Sequence, residues 1–270
     1  MAHTTLRVAA VGDLHCTKGS EGAFQPLFAK IGESADVFVL CGDLTDYGTA
    51  EEARVLAKEL SAIKVPKLAV LGNHDFESDA PGEVVQILTD AAGITVLDGT
   101  AVEIQGVGFA GAKGFAGGFG ARALQSWGEM PTKAFVRAAI EETLKLESAL
   151  ARLRTPGRVA LLHYAPIGAT VDGEPAEIYP FLGSSRLEEP INRYTPSVVF
   201  HGHAHRGRVE GTTSTGIPVY NVALPLLRRT YPDQLPFRVV EVQVAESPRT
   251  GAALASPDSV ASAPARPVSP

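Results

Sequence analysis

A chain of 270 residues with 45% hydrophobic and 20% charged side chains has material for a sizeable core, which excludes a wholly disordered protein. No stretch approaches the roughly 18 consecutive apolar residues of a membrane span. A formal net charge of −6 disfavours a nucleic acid polymer as partner, because proteins that grip phosphate backbones present a basic face.

In chain order, residues 6–11 form an apolar run with no basic segment ahead of it, which reads as a strand rather than a signal peptide. It ends in Gly12-Asp13-Leu14-His15. A short helix is expected near 24–31. A second run at 37–41 ends in Gly42-Asp43, and a third at 68–71 ends in Gly72-Asn73-His74-Asp75. Between them Ala53, Leu56, Ala57, Leu60 and Ile63 recur at helical spacing, with Thr49 as N-cap and Glu51 and Glu52 in the first turn. Strands alternating with helices imply a largely parallel sheet buried on both faces.

Residues 100–105 and 107–111 read as consecutive strands. Residues 131–154 read as the longest helix, with Phe135, Ala139, Ile140, Thr143, Leu146, Leu150 and Leu153 inward and a Glu141–Lys145 pair outward. Apolar runs at 158–162 and 197–200 each lead into histidine, and strands at 218–222 and 237–244 follow. A single domain over 1–246 is expected. Residues 247–270, rich in Ala, Ser and Pro, are expected to form a disordered tail. No repeat indicates a solenoid, and the sequence carries no signal for an oligomeric state. The two cysteines, Cys16 and Cys41, are too few for a disulfide framework and point to a reducing, cytoplasmic setting.

Five polar signatures thus follow five apolar runs, the last two being His163 and Gly202-His203-Ala204-His205. In open α/β sheets ligand sites gather beyond the carboxyl ends of strands, so these groups can converge although far apart in sequence. Carboxylate, amide and imidazole together suit Mn, Fe, Zn or Co, whereas an all-oxygen set would suit Ca or Mg. A two-metal centre needs one carboxylate to bridge ions about 3.5–4 Å apart. Singly, Asp13, Asp43 and Asn73 beside glycine could be turn formers. Five of the seven histidines falling in the five blocks favours metal binding. Next to that set, Cys16 and Cys41 read as packing residues, His201 as structural, His3 as exposed and Asp75 as loop support.

The order D-x-H, G-D-x-x-D, G-N-H-D, H, G-H-x-H, from about residue 6 to residue 222, resembles the calcineurin-like metallophosphoesterase superfamily, in its bacterial phosphodiesterase branch. The resemblance implies an α/β fold, a layered β-sheet sandwich flanked by helices with a dinuclear metal site at strand carboxyl ends. It implies that Asp13, His15 and His205 bind one transition-metal ion and Asn73, His163 and His203 a second, with Asp43 bridging. His74 would be the unligated histidine that assists the leaving group, and Asp46 would orient it. A metal-bridging hydroxide would attack a small phosphate ester, and two cations would make a locally positive site in an acidic protein.

The phosphoprotein phosphatase branch has arginine where Tyr47 stands, so the resemblance favours a phosphodiester. A broad phosphomonoesterase is the alternative, followed by a nuclease and by a non-catalytic scaffold, whose members typically lack the histidine that His74 supplies. Two segments are expected to select the substrate. One is a glycine-rich loop at 114–120, read either as a mobile cover with Phe115, Phe119 or Trp127 over an apolar group or as a plain surface loop packing its own aromatics. The other is the long connection 164–186.

Overall fold

A computed structural model of the chain describes residues 5–244; His3 and the expected tail at 247–270 lie outside them. The order is β1 (Thr5–Val11), α1 (Gln25–Ser34), β2 (Val37–Cys41), α2 (Ala50–Leu60), β3 (Lys67–Val70), α3 (Pro81–Ala92), β4 (Ile94–Val96), β5 (Thr100–Ile104) and β6 (Val107–Gly111). Next come α4 (Met130–Arg152), β7 (Gly157–Leu161), α5 (Tyr179–Leu182), α6 (Glu188–Tyr194), β8 (Val198–His201), β9 (Glu210–Thr212), β10 (Pro218–Asn221), α7 (Leu224–Thr230) and β11 (Arg238–Gln243).

The strands form two layered sheets, as the resemblance implied, ordered β11-β1-β2-β3-β4 and β5-β6-β7-β8-β10-β9. Each is parallel at its centre, with antiparallel pairing of β11 to β1, β5 to β6 and β9 to β10. Period-2 alternation explains the layering. In β2, Phe38 and Leu40 pack under α1, α2 and α3, while Val37, Val39 and Cys41 pack towards the second sheet. In β7, Val159 and Leu161 meet that inter-sheet core, and Ala160 faces the layer of α4 and α6. The central strands are therefore covered on both sides, which is why they read as continuous apolar runs. Among the described residues no helix is long and apolar enough to cross a membrane.

Thr49 caps α2 as expected. Its side chain accepts from the Glu52 N–H, and the Glu52 carboxylate accepts from the N–H of Thr49 and of Tyr47. That capping box, a device contributing about 1 kcal/mol, also fixes the end of the loop after β2. In α4 the expected stripe is shifted: Val136, Ala139, Leu146, Ala149 and Leu150 are buried and Ile140 is exposed. Lys145 bonds Asp98 and Glu142 at 2.8 Å each, not the expected Glu141. Helices α3, α6 and α7 and the short strands β4 and β9 add to the sequence-based expectation.

Candidate metal centre

Sheet ends bring the five signatures together. The Asp13 N–H donates to Gly42 O and the His15 N–H to Asp43 O, while Gly12 pairs with Ala223 beyond β10, joining the two sheets at their carboxyl ends. The loops are sharply folded. Of the seven non-glycine residues with positive φ among those described, four are Asp13, His15, Asp43 and His203. Such backbone is unfavourable for side-chain-bearing residues and tends to collect at functional sites. Adjacent glycines allow close approach. A Cβ on Gly72 would overlap Asp43 Oδ1, and one on Gly202 would overlap Asp13 Oδ2. Gly72→Ala should therefore displace Asp43, lower Tm by roughly 3–10 °C as overpacking does, and reduce bound metal. Elemental analysis and calorimetry check this, and an unchanged Tm with full metal content would refute it.

Beside a cluster of His15, Asp46 and His74, two triads of side chains converge, each group with ligand atoms within 4.8 Å of one another: Asp13, His15 and His205, and Asp43, His163 and His203. Asp43 faces both. Its Oδ2 lies 3.8 Å from His15 Nε2 and its Oδ1 3.4 Å from His163 Nε2. Asn73 Oδ1 joins the second triad, 2.9 Å from His163 Nε2. The outer ring nitrogens are tied to protein acceptors: His15 Nδ1 to the Asp46 carboxylate at 3.1 Å, His163 Nδ1 to Cys41 O at 3.0 Å, and His203 Nε2 to Phe181 O at 3.2 Å. With the proton there, each inward nitrogen presents a bare lone pair, the tautomer a metal ligand needs.

The donor set fits a pair of cations. His15 Nε2 is buried and has no hydrogen-bond partner. With the His163 proton on Nδ1, its Nε2 meets two oxygens, Asn73 Oδ1 at 2.9 Å and Asp43 Oδ1 at 3.4 Å. Burial, then the charges of Asp13 and Asp75, push the Asp43 carboxyl well above its ordinary range. Burial holds His163 far below its usual pKa and, with help from His163, pushes His203 down to about 3, so both stay neutral. Burial also works to lower His205, but its 3.0 Å hydrogen bond to Asp13 and that carboxylate's charge outweigh it and raise the pKa. Buried like charges and unprotonated nitrogens of this kind are relieved by bound cations.

A sequence model of the calcineurin-like phosphoesterase family matches residues 6–207, which include the whole of this constellation. The chain belongs to that family. Its members are metal-dependent phosphoester hydrolases that typically bind two transition metals. No curated protein sequence matches the chain significantly. Among solved structures, a phosphopantetheinyl hydrolase from Mycobacterium tuberculosis shares the fold at TM-score 0.63 and 16% identity, over 88% of this chain and 96% of that one. The inner membrane complex anchor GAP50 of Plasmodium aligns at TM-score 0.54 and 12% identity, over 83% and 73%. A putative 5'-nucleotidase from Staphylococcus aureus aligns at TM-score 0.50 and 14% identity, over 80% and 48%.

Further residues support this candidate centre. Asp75 is fully buried and accepts from the N–H groups of Leu44, Thr45 and Gly72 and from the Thr45 hydroxyl, clamping the loops after β2 and β3 together. His74 lies against the first triad, its ring 4.6 Å from that of His15. Its Nδ1 is held by the carbonyl of Asp46 at 2.7 Å, whereas the Asp46 carboxylate is 3.9 Å from it and bonds His15 instead. One residue thus orients both imidazoles. His201 uses both ring nitrogens, on Gly202 O and Thr170 Oγ1. Burial raises both thiols, Cys16 to about 12, which keeps them protonated.

The loop expected to be a mobile cover is laced down. Gly117 N–H donates to Pro180 O and Gly118 N–H to Gly183 O, tying it to the 164–186 connection, which is itself structured by two 3₁₀ turns and α5. Phe115 packs on Phe135 and Tyr164 at 5.1 and 5.8 Å between ring centres. Trp127 is 64% exposed. Phe119 lines a cavity of about 470 Å³ with Arg122, Phe135, Tyr179 and Phe181, and Phe181 is the residue whose carbonyl holds His203. Sequence reasoning missed Lys113 and Glu142. The Glu142 carboxylate is buried because it accepts from the Gly114 N–H; a charge at an inward helical position was its one sequence signal.

Proposed function

We propose that this phosphoesterase hydrolyses a small phosphodiester at the centre built on Asp43. The observation that carries the reading is the double orientation of that carboxylate, one oxygen towards His15 and the other towards His163. Asp13, His15 and His205 would hold one ion, and Asn73, His163 and His203 the other. Two bound ions supply a nucleophile at neutral pH and Lewis-acid stabilisation of the phosphoryl oxygens. His74, whose Nδ1–H donates to the Asp46 carbonyl, would act as an imidazolium, giving its Nε2 proton to the departing oxygen and ending as the neutral Nδ1–H ring. Asp46 and Asp75 hold His15, His74 and the two loops in register.

Preference for a diester is supported by space on two sides. The 470 Å³ cavity adjoins the His203 side through Phe181. A second cavity of about 430 Å³ runs under Phe76, two residues beyond His74. A diester carries two organic arms and a monoester one. Phe119 belongs to the first cavity, with Phe115 behind it and Trp127 at the exposed end of its loop.

The test compares bis(p-nitrophenyl) phosphate with p-nitrophenyl phosphate on manganese-loaded protein. A kcat/KM at least tenfold higher for the diester is expected, and the reverse order would establish the monoesterase. Chelation should abolish turnover of both. Mn²⁺ at about 100 times its Kd should stabilise the fold by about 2.7 kcal/mol, a rise of roughly 5–11 °C in Tm.

A further inference from the structure

The cavity under Phe76 has an unusual cation in its wall. It is lined by Leu71, Phe76, Pro81, Val85, Val96 and Leu97, with Lys113 on one side and Asp98, Glu142 and Lys145 at its charged end. Lys113 Nζ sits 5.4, 5.0 and 5.1 Å from the ring centres of Phe76, Phe115 and Tyr164, a cage of three aromatic faces. Its hydrogen bond is to a carbonyl, Gly114 O at 3.0 Å. Among the described residues no carboxylate lies within ion-pair distance of it. The acids at the charged end are already engaged: Lys145 bonds both Asp98 oxygens and Glu142 Oε1, and Glu142 Oε2 accepts from Gly114 N–H. An ammonium with N–H groups to spare and a desolvated setting calls for an anion.

None of the candidate ligands lines the cavity, but residues that adjoin them in the chain do. Leu71 immediately precedes Gly72-Asn73, and Phe76 closes the 3₁₀ turn that His74 opens. The Lys113 carbonyl accepts from the N–H groups of His163 and Tyr164. The Tyr164 ring that Lys113 caps lies 4.5 Å from the ring of His203.

We infer that this cavity receives the alcohol arm of the ester on the His74 side, and that Lys113 selects an arm with an apolar body carrying a carboxylate. The inference rests on the phosphodiesterase reading only for the identity of the bond broken. Apolar walls bury the body, and Lys113 supplies the charged contact that fixes its orientation.

The experiment uses two diesters of the full-length, metal-loaded protein, methyl 4-carboxyphenyl phosphate and methyl 4-methylphenyl phosphate, with wild type, Lys113→Met and Val85→Phe. Wild type should favour the carboxylated diester in kcat/KM by roughly 10–100-fold, the value of one charged hydrogen bond. Lys113→Met should lose at least tenfold more on that substrate than on the methyl one, and Val85→Phe, which fills the cavity from α3, should raise KM for both. Calorimetry on chelator-treated protein provides a readout without turnover: 4-hydroxybenzoate should bind wild type more tightly than p-cresol does, and Lys113→Met should abolish the difference. Binding without diester hydrolysis would overturn the phosphodiesterase reading and keep the cavity assignment. Equal losses on both diesters, a preference for a neutral or cationic arm, or no Lys113-dependent binding would overturn the cavity assignment and leave the phosphodiesterase reading standing.

Discussion

Asp43→Asn is expected to lower metal content and turnover together, with turnover falling by roughly 10²–10³-fold or more, as when a preorganised charge beside the reacting group is removed. The amide keeps an oxygen that can accept from the His74 N–H, as Asp43 Oδ1 does at 2.9 Å. Its nitrogen, however, has no lone pair to offer the neighbouring triad, and one of the two negative charges at the heart of the site is gone. The metal-free protein should respond in the opposite direction. Asp43 has a folded-state pKa raised above its ordinary 3.8 by burial and by Asp13. A raised carboxyl binds more protons folded than unfolded, so its contribution to stability declines as pH rises from about 3.8 towards the folded value. Asparagine does not titrate. In chelator, the variant should therefore melt above the wild type, by a margin that widens between pH 5 and pH 8. Elemental analysis, turnover and melting curves across that range read all three effects. Two tightly held ions with near-normal activity in Asp43→Asn would remove Asp43 from its bridging role.

His74→Ala separates chemistry from metal binding. The variant should keep both ions, because the ring touches His15 and the Asp46 carbonyl and neither triad includes it. Turnover should drop by roughly 10²–10⁴-fold, the range for a positioned general acid. The loss should be largest for esters with poor leaving groups and should shrink for p-nitrophenolate, which departs without much protonation. His74 also stands with His15 and Asp46 in a third cluster of possible ligand atoms, so metal analysis of this variant is decisive. Loss of an ion would make His74 a ligand. A uniform loss across leaving groups, with both ions kept, would show that His74 binds the phosphate rather than protonating the alcohol.

Much of this was legible in the chain itself. Apolar runs ending in Asp, Asn or His located the strands β1, β2, β3, β7 and β8 and their polar ends, because a strand covered on both faces must be apolar throughout. Helical spacing from Ala53 to Ile63, with Thr49 as N-cap and Glu51 and Glu52 in the first turn, announced α2, since capping is local and needs no distant partner. The family, too, was visible, because each short block is weak alone and the five in order are not.

Tertiary structure decided what depends on distance in space. Which strand joins which sheet, and that Gly12 meets Ala223 where the two come together, leaves no local trace. The inward or outward aim of each imidazole follows from which carbonyl or carboxylate happens to hold its other nitrogen. So Asp46 turned out to bond His15 with its carboxylate and His74 with its carbonyl. The glycine-rich segment read as a flexible cover because glycine lowers local order, but backbone pairing with 180–183 holds it down. Lys113 carries no motif. Its place in a cage of rings from three separate segments exists only once the chain has brought them together.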